Sequence, residues 1–479
     1  MSGRRPRKAA DGAPRAPRAP RAPRVREDTI VAVATAPGRG AIAVVRVSGA
    51  DALRICRRIA LPHAGWPVRA REATRCRVHD VDDPASTIDD GLVTVFPAPR
   101  SYTGETIVEL GVHGGTYVPA AVLAAIVHAG ARPAQPGEFT ERAVLNGKLD
   151  LLRAEAIGDL IDARSRAAHR MALQQLSGAL SRRLASLRAG VIEIEALLAY
   201  DVDFPGEDAG ALPRQRVLEA CDATIAALDE LLATVPAAIL GREGATVVLA
   251  GPPNAGKSSL LNALVGESRV IVSETPGTTR DAVDVLLEHD PWPLRLVDTA
   301  GLRDDADPVE RLGIEVSTRW LAQAHVVVAC AETVESLEAA MVAIGMLSHA
   351  PVVGALTKCD LATTSEEIPA MIPPVVRVSA TSGAGLVALL DQVTMAVLAT
   401  TGTAEADTPM VTRARHRTAL ARARAELEAF RELWSAGVLP APVAAVHVRE
   451  ASLALDELIG AVDVDDVLAR VFSTFCVGK

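Results

Sequence analysis

Aromatic side chains make up only 3% of the 479 residues, too few for the stacking platforms on which proteins hold single-stranded bases. No run approaches the ~18 consecutive apolar residues of a membrane span. The six cysteines (Cys56, Cys76, Cys221, Cys330, Cys359, Cys476) are scattered, without a CxxC pair, so neither a zinc site nor a disulfide framework is expected. No signal peptide is recognisable, and a soluble protein of a reducing, cytoplasmic compartment with no membrane partner is the expectation.

What is present is length and apolar residues. At roughly 100 to 200 residues per domain the chain has room for two to four domains, and its 49% hydrophobic content can fill several cores. Charge is unevenly spread. The first 26 residues carry nine basic side chains against Asp11 alone, +8 in a chain of net −9. Their Ala-Pro-Arg repeats lack apolar periodicity and read as a disordered basic tail, 1–27. A nucleic-acid arm and a non-functional extension both fit it, the second being simpler.

Between Thr29 and about His128 short strand-like runs (TIVAVA, AIAVVRV, GLVTVF, TIVELGV) alternate with Gly and Pro turns and lead into the helical VPAAVLAAIVHA, the pattern of a small α+β domain. Leu176, Leu180, Leu184, Leu187, Val191, Ile194 and Leu198 step by fours and threes, which predicts one long amphipathic helix. After Gly241 strands and helices alternate (ATVVLAG, LRLVDTAG, HVVVACA, PVVGALTKCD, VVRVSA), the order of a parallel, doubly wound sheet. Helices return beyond about residue 410, with Leu420, Leu427, Phe430 and Trp434 on one face and Pro440 and Pro442 before a last helix. The simplest architecture is a multidomain α/β plus α chain: an α+β domain at 28–147, a helical domain split into 148–240 and 403–479, and an α/β domain at 241–402 inserted into it.

The segment Gly251 to Ser258 fits GxxxxGK[ST], preceded by the strand TVVLA and followed by the helix former SSLLNALVG. Backbone N–H groups of such a loop wrap phosphates, Lys257 neutralises β/γ oxygens, and Ser258 offers a hydroxyl to Mg²⁺. Asp298-Thr-Ala-Gly301 ends a second strand 41 positions after Lys257, where a carboxylate can serve the Mg²⁺ shell. Thr357-Lys358-Cys359-Asp360, again at a strand end, resembles the NKxD signature of GTPases: the Asp360 carboxylate can accept from guanine N1–H and its exocyclic amine. Thr357 stands where Asn is usual. Ser379-Ala380-Thr381 matches the remaining base loop. An ATPase would leave Asp360 without its purpose, so GTP is the expected nucleotide.

The residue after DxxG is Leu302, which can neither accept nor donate a proton, so water must be oriented by another group. Glu310 is the candidate, although spacing alone favours reading it as a solvated helix-start carboxylate. Arg280 lies beside the switch-like ProGlyThrThrArgAsp without a clear claim to be an arginine finger. A monovalent cation held by loop carbonyls and Asn254 could supply the missing positive charge.

These motifs occur together with Thr29-Ile-Val-Ala32, Pro37-Gly-Arg-Gly40, Arg46-Val-Ser-Gly49, Ser101-Tyr-Thr-Gly-Glu105, His113-Gly-Gly115, Pro136-Gly-Glu-Phe-Thr-Glu-Arg-Ala143, Asn146-Gly-Lys-Leu-Asp150 and the terminal Phe475-Cys-Val-Gly-Lys479. In this combination residues 28 to 479 resemble the MnmE (TrmE) family of tRNA-modification GTPases. The resemblance implies a folate-binding N-terminal domain, a discontinuous helical domain and a Ras-like P-loop G domain whose hydrolysis is stimulated when two G domains of a homodimer meet with K⁺ between them. It implies a GTP contact set of Asn254, Ala255, Gly256, Lys257, Ser258 and Ser259; Ser273, Glu274, Thr275, Pro276, Gly277, Thr278 and Thr279; Asp298, Thr299, Ala300 and Gly301; Thr357, Lys358, Cys359 and Asp360; and Ser379, Ala380 and Thr381. Mg²⁺ would fall to Ser258 and Thr279, K⁺ to Asn254, Ser273, Thr275 and Thr278, the attacking water to Glu310, and a tetrahydrofolate derivative to Arg46, Glu109, Lys148 and Lys479. Read one by one, the last four are weak: Arg46 shares a strand face with Ile42 and Val44, and any of them could be an ordinary surface charge.

The resemblance further implies an MnmG-type partner using FAD and NADH, with which such proteins add a carboxymethylaminomethyl-type group to C5 of the wobble uridine of tRNA. Gly38-Arg-Gly-Ala-Ile-Ala43 superficially suggests a dinucleotide loop, but it leads into a strand, so flavin chemistry is expected to reside in the partner. The rival is a GTPase switch in ribosome assembly or signalling without modification chemistry; the folate-domain and C-terminal motifs speak against it.

Overall fold

The computed structural model describes residues 28–203, 214–267, 270–271, 283–298, 320–361, 374–401, 409–437 and 441–459, with Phe472, Phe475 and Gly478. The chain divides into two compact units, 1–149 with 462–479 and 150–461. The basic tail, 1–27, lies outside the described residues.

The first unit contains β1 (Ile30–Val33), β2 (Ile42–Ser48), α1 (Ala52–Cys56), β3 (Ala60–Pro62), β4 (Thr74–His79), β5 (Thr87–Phe96), β6 (Ile107–His113), α2 (Tyr117–His128), β7 (Arg132–Pro133) and α3 (Glu138–Leu145). The strands form one sheet in the order β3-β4-β5-β6-β2-β1-β7, antiparallel except for β1 with β7. Strand β2 shows the two-residue period that fixes the faces: Ala43, Val45 and Val47 are buried with Ile55, Val122 and Ile126, whereas Ile42, Val44 and Arg46 occupy the opposite face. The C-terminal residues belong to this unit. A Cβ at Gly478 (φ 104°) would come within 2.5 Å of the Val33 carbonyl, so only glycine fits there.

The second unit begins with α4 (Leu151–Asp162), α5 (Arg166–Leu176), α6 (Ala179–Asp203), α7 (Arg214–Leu232) and α8 (Val235–Glu243). Then come β8 (Ala245–Ala250), α9 (Lys257–Glu267), β9 (Val270–Ile271), β10 (Val283–Leu287), β11 (Leu294–Asp298), β12 (Val326–Ala331), α10 (Val334–Gly345), β13 (Val352–Leu356), β14 (Val375–Arg377) and α11 (Leu386–Thr401). It closes with α12 (Ala414–Ala436) and α13 (Ala441–Ile459). The long helix expected from Leu176 is interrupted: α5 ends at Leu176, and α6 starts after Gly178, whose φ of 82° ends helical geometry. Arg153 occupies the space where a Cβ at Gly178 would lie, 2.5 Å from its guanidinium. From Leu180 to Leu198 the expected face is buried.

Helices α6, α7, α12 and α13 share one core, with Leu184, Val191 and Leu228 from the first stretch of sequence against Leu420, Phe430 and Leu455 from the second. The stretch Arg214–Glu243 is apolar enough by composition to cross a membrane, but it is two helices whose Val217, Cys221, Ile225, Leu228 and Leu231 face this core. In the α/β part the order is β14-β13-β12-β8-β11-β10-β9; β14, β13, β12, β8 and β11 are parallel, and β10 and β9 antiparallel. Burial pushes the thiols of Cys76, Cys221 and Cys330 up to about 12, which makes them packing groups and not nucleophiles at neutral pH.

Buried charge also joins α4 to α12. Glu155, 1% exposed, accepts from Arg415 Nη2 at 3.0 Å and lies 2.7 Å from His416 Nε2. Burial pushes this carboxyl up, but the His416 hydrogen bond and the charges of His416, Arg415 and Arg413 outweigh it and hold the group at about 2. Because the folded value is depressed, the stabilisation is complete above the ordinary value of 4.5 and is lost as pH falls towards 2. Glu155→Gln is therefore expected to lower the unfolding free energy at pH 7 by about 3 kcal/mol. Calorimetry from pH 7 downwards should show the gap from the parent narrowing below 4.5.

Candidate functional site

The α/β part presents the carboxyl ends of its parallel strands along one edge, and β8, between β11 and β12, sits where the chain order reverses. Every residue of β8 is buried, so its exit is fixed by packing on both faces. At Gly251 (φ 151°) a Cβ would come within 2.1 Å of the Cys330 carbonyl, which excludes any side chain at the start of the loop. The loop then turns through Asn254, with a left-handed φ of 64°, and enters α9 at Lys257. Successive N–H groups in such a turn, followed by a helix start, form an anion cradle.

Lys257 is 6% exposed and its Nζ donates to the Gly251 and Pro252 carbonyls at 3.0 and 2.8 Å, a position from which it can swing to phosphate oxygens. Ser258 Oγ donates to Asp298 Oδ2 at 2.6 Å. This pair brings the hydroxyl and carboxylate from two distant motifs together, and both are the oxygen donors that a hard cation such as Mg²⁺ takes. Asn254 and Ser259 are exposed at the rim, while Ala255 is buried beneath the loop.

At the base end, Thr357 is 7% exposed and follows β13 directly. Its N–H donates to the Ala331 carbonyl at 2.8 Å, and its hydroxyl lies within donating distance of the Ala255 (2.9 Å) and Ala331 (3.1 Å) carbonyls. Thr357 thus ties the phosphate loop to the ends of β12 and β13, a role its departure from Asn did not disclose. Lys358 adopts a left-handed φ of 55° and pairs with Glu332, which no motif had marked. The Cys359 N–H donates to the Val378 carbonyl at 3.2 Å, linking this turn to the Ser379 loop, and Asp360 is exposed at its tip. The Ser379 hydroxyl, fully buried, accepts from the Thr381 and Ser382 N–H groups at 3.2 and 3.1 Å, which fixes the loop containing Ala380. Residues Ser273 to Arg280, Thr299 to Leu302 and Glu310 lie outside the described residues.

A second constellation lies on the other face of the first unit's sheet, opposite Val45 and Val47, where Ile30 and Ala32 pack on Phe139. Arg46 and Glu109 are direct cross-strand partners on β2 and β6, and Arg46 Nε donates to Glu109 Oε1 at 2.8 Å. Arg46 Nη1 also donates to the Gly478 carbonyl at 3.3 Å, so the terminal motif reaches this pair; Lys479 and Cys476 lie outside the described residues. The rings of Tyr102 and Phe139 each lie 5.8 Å from the Arg46 guanidinium.

The loop carrying Tyr102 is held from beneath. Arg142, 2% exposed, donates to Glu105 at 3.2 Å, to Glu138 at 3.0 Å and to Asp28 at 2.7 Å, and Ser48 donates to Glu105 at 2.7 Å. Lys148 stands on the far side of this loop, its Nζ donating to the Pro99 carbonyl at 3.0 Å and its stem beside Gly104. The Gly38 to Ala43 segment runs into β2 and opens no helix, unlike a dinucleotide loop.

The chain matches the family described as "GTP-binding protein TrmE N-terminus" over residues 29–148 and that described as "MnmE helical domain" over residues 151–476. It is 42% identical over 465 residues to a tRNA modification GTPase MnmE of Laribacter hongkongensis, covering 94% of this chain and 99% of that protein. With the protein of the same description from Aquifex aeolicus identity is 36% over 453 residues, covering 94% of this chain and all of the relative.

The Thr357 tether is open to test. Thr357→Val keeps the shape, removes the hydroxyl and leaves the buried Ala255 carbonyl without its donor, at a cost of about 1–3 kcal/mol. A correspondingly lower melting temperature and about tenfold weaker binding of a fluorescent guanine nucleotide are expected, read by scanning calorimetry and fluorescence titration.

Proposed function

The chain belongs to the MnmE (TrmE) family of tRNA modification GTPases, and from that premise we propose that it hydrolyses GTP as one component of a machine that modifies tRNA. In its finer form the proposal is addition of a carboxymethylaminomethyl-type group to C5 of the wobble uridine, with the carbon taken from a tetrahydrofolate derivative. Electron transfer falls to an MnmG-type partner that uses FAD and NADH. The observation that carries the GTP part is the convergence of Lys257, the Ser258–Asp298 pair, Thr357 and the Asp360 turn at the ends of neighbouring parallel strands.

In this reading the loop from Asn254 to Ser259 wraps the phosphates, and Lys257 leaves its two carbonyls for the β/γ oxygens. Mg²⁺, when bound, offsets phosphate charge; Ser258, Thr279 and Asp298 are the residues that would serve it. Asp360 accepts two hydrogen bonds from guanine, while the stem of Lys358, set by its pair with Glu332, covers the base. Glu310 orients the attacking water, which the aliphatic Leu302 cannot do. Asn254 with Ser273, Thr275 and Thr278 would hold K⁺, which would supply positive charge near the phosphates when two G domains of a homodimer meet. In the first unit the Arg46–Glu109 pair, with Lys148 and Lys479, holds the folate derivative against Tyr102.

Three experiments test this. Glu310→Ala is expected to lower GTP turnover by about 10²-fold while leaving nucleotide affinity unchanged, and the parent's turnover should rise steeply in K⁺ relative to Na⁺. Equal rates in the two salts would remove the cation from the proposal. Nucleoside analysis of tRNA from cells lacking the protein should show the wobble uridine modification missing; unchanged uridines would leave a GTPase without this chemistry.

A further inference from the structure

The α5–α6 region holds a run of charge that the nucleotide and folate sites leave unused. Residues 163–192 include six arginines (Arg164, Arg166, Arg170, Arg182, Arg183, Arg188) and no Asp or Glu, in a chain of net charge −9. Solvated helical faces usually interleave the two signs, and α12 does so with Glu426, Glu428 and Glu432 among its arginines, while Arg415, Arg422, Arg424 and Arg431 each also meet a carboxylate of another helix. In the basic run, Arg183 and Arg188 are answered across the bundle by Glu230 and Asp456. No carboxylate pairs with Arg170 or Arg182 among the described residues, and both are exposed.

Helical geometry gathers the remaining charges into a ridge. Arg166, Arg170, Leu173 and Ser177 follow one another at steps of four and three, and all four are exposed. At the end of this row the Ser177 carbonyl accepts from both Arg153 Nη2 and Arg182 Nη1 at 3.0 Å, so two guanidiniums of like charge converge on one oxygen. The nearby acids are few: Asp150 Oδ2 is 3.8 Å from Arg153 Nε, and Glu288 Oε1 is 3.8 Å from Arg166 Nε while accepting from its backbone N–H. Exposed guanidiniums set close together, with Arg170 and Arg182 free of carboxylate partners among the described residues, match a chain of phosphates. Aromatics are scarce throughout the chain, so such a surface would grip backbone and leave base reading to others.

We propose that the ridge of Arg166, Arg170, Arg153 and Arg182 on α4, α5 and α6 docks the phosphate backbone of the tRNA. This rests on the tRNA reading given above. The test measures binding of a fluorescent unmodified tRNA transcript to the full-length protein across a salt series. The double variant Arg170→Gln/Arg182→Gln should bind at least tenfold more weakly and lose about 1.5 from the slope of log K against log salt. Its GTP turnover and melting temperature should match the parent's, and Arg422→Gln, a variant of an exposed and paired arginine on α12, should bind as the parent does. Parent-like affinity and slope in the double variant would overturn the ridge. So would intact tRNA binding with lost modification, which would give the surface to a protein partner. Neither result touches the tRNA reading itself, which stands or falls on the wobble uridines of cells lacking the protein.

Discussion

The nucleotide site depends on one constraint: β8 is buried along its whole length and must release its chain into a loop that has no room for side chains at its first position. Gly251 passes against the Cys330 carbonyl, and the Thr357 hydroxyl catches the Ala255 carbonyl from the other side. The cradle is therefore held between the ends of β12 and β13 and not by its own sequence. Preorganised in this way, its N–H groups need little reorganisation to meet an anion. Strand β11, paired with β8, places Asp298 beside Ser258, and β13 and β14 bring the Asp360 turn beside the Ser379 loop.

A comparable logic governs the first unit. In the network of Arg142 with Glu105, Glu138 and Asp28, the Arg142 and Glu138 side chains are buried while Asp28 stands at the solvent edge, and buried charges of this kind persist only when each is answered. Its consequence is a fixed loop at 101–105 that sets Tyr102 against Arg46. The charge on the surface of this sheet is thereby supported by charge beneath it, and the terminal glycine reaches the same guanidinium through its carbonyl.

Legibility differed by kind of feature. The phosphate loop and the strand-end Asp298 and Asp360 could be read because each motif is local and flanked by apolar runs of strand length. The buried face from Leu180 to Leu198 was equally legible, since period and burial follow from helix geometry. Leu176 was misread: a left-handed Gly178 breaks the helix without breaking the spacing of leucines. Arg46 and Glu109, 63 positions apart, looked like independent surface charges, and only antiparallel register makes them neighbours.

The sequence alone determined the element types, the α/β insertion and the residue chemistry of the phosphate and base loops, because these depend on contacts within a turn, a strand or a helix. Tertiary structure decided what each of those residues leans on: Thr357 under the phosphate loop, Glu332 beside Lys358, and Glu155 between Arg415 and His416. It also decided which arginines of the 163–192 run are consumed in internal pairs and which remain at the surface. Such pairings join groups that are distant along the chain, and their partners are set by packing, which no local spacing encodes.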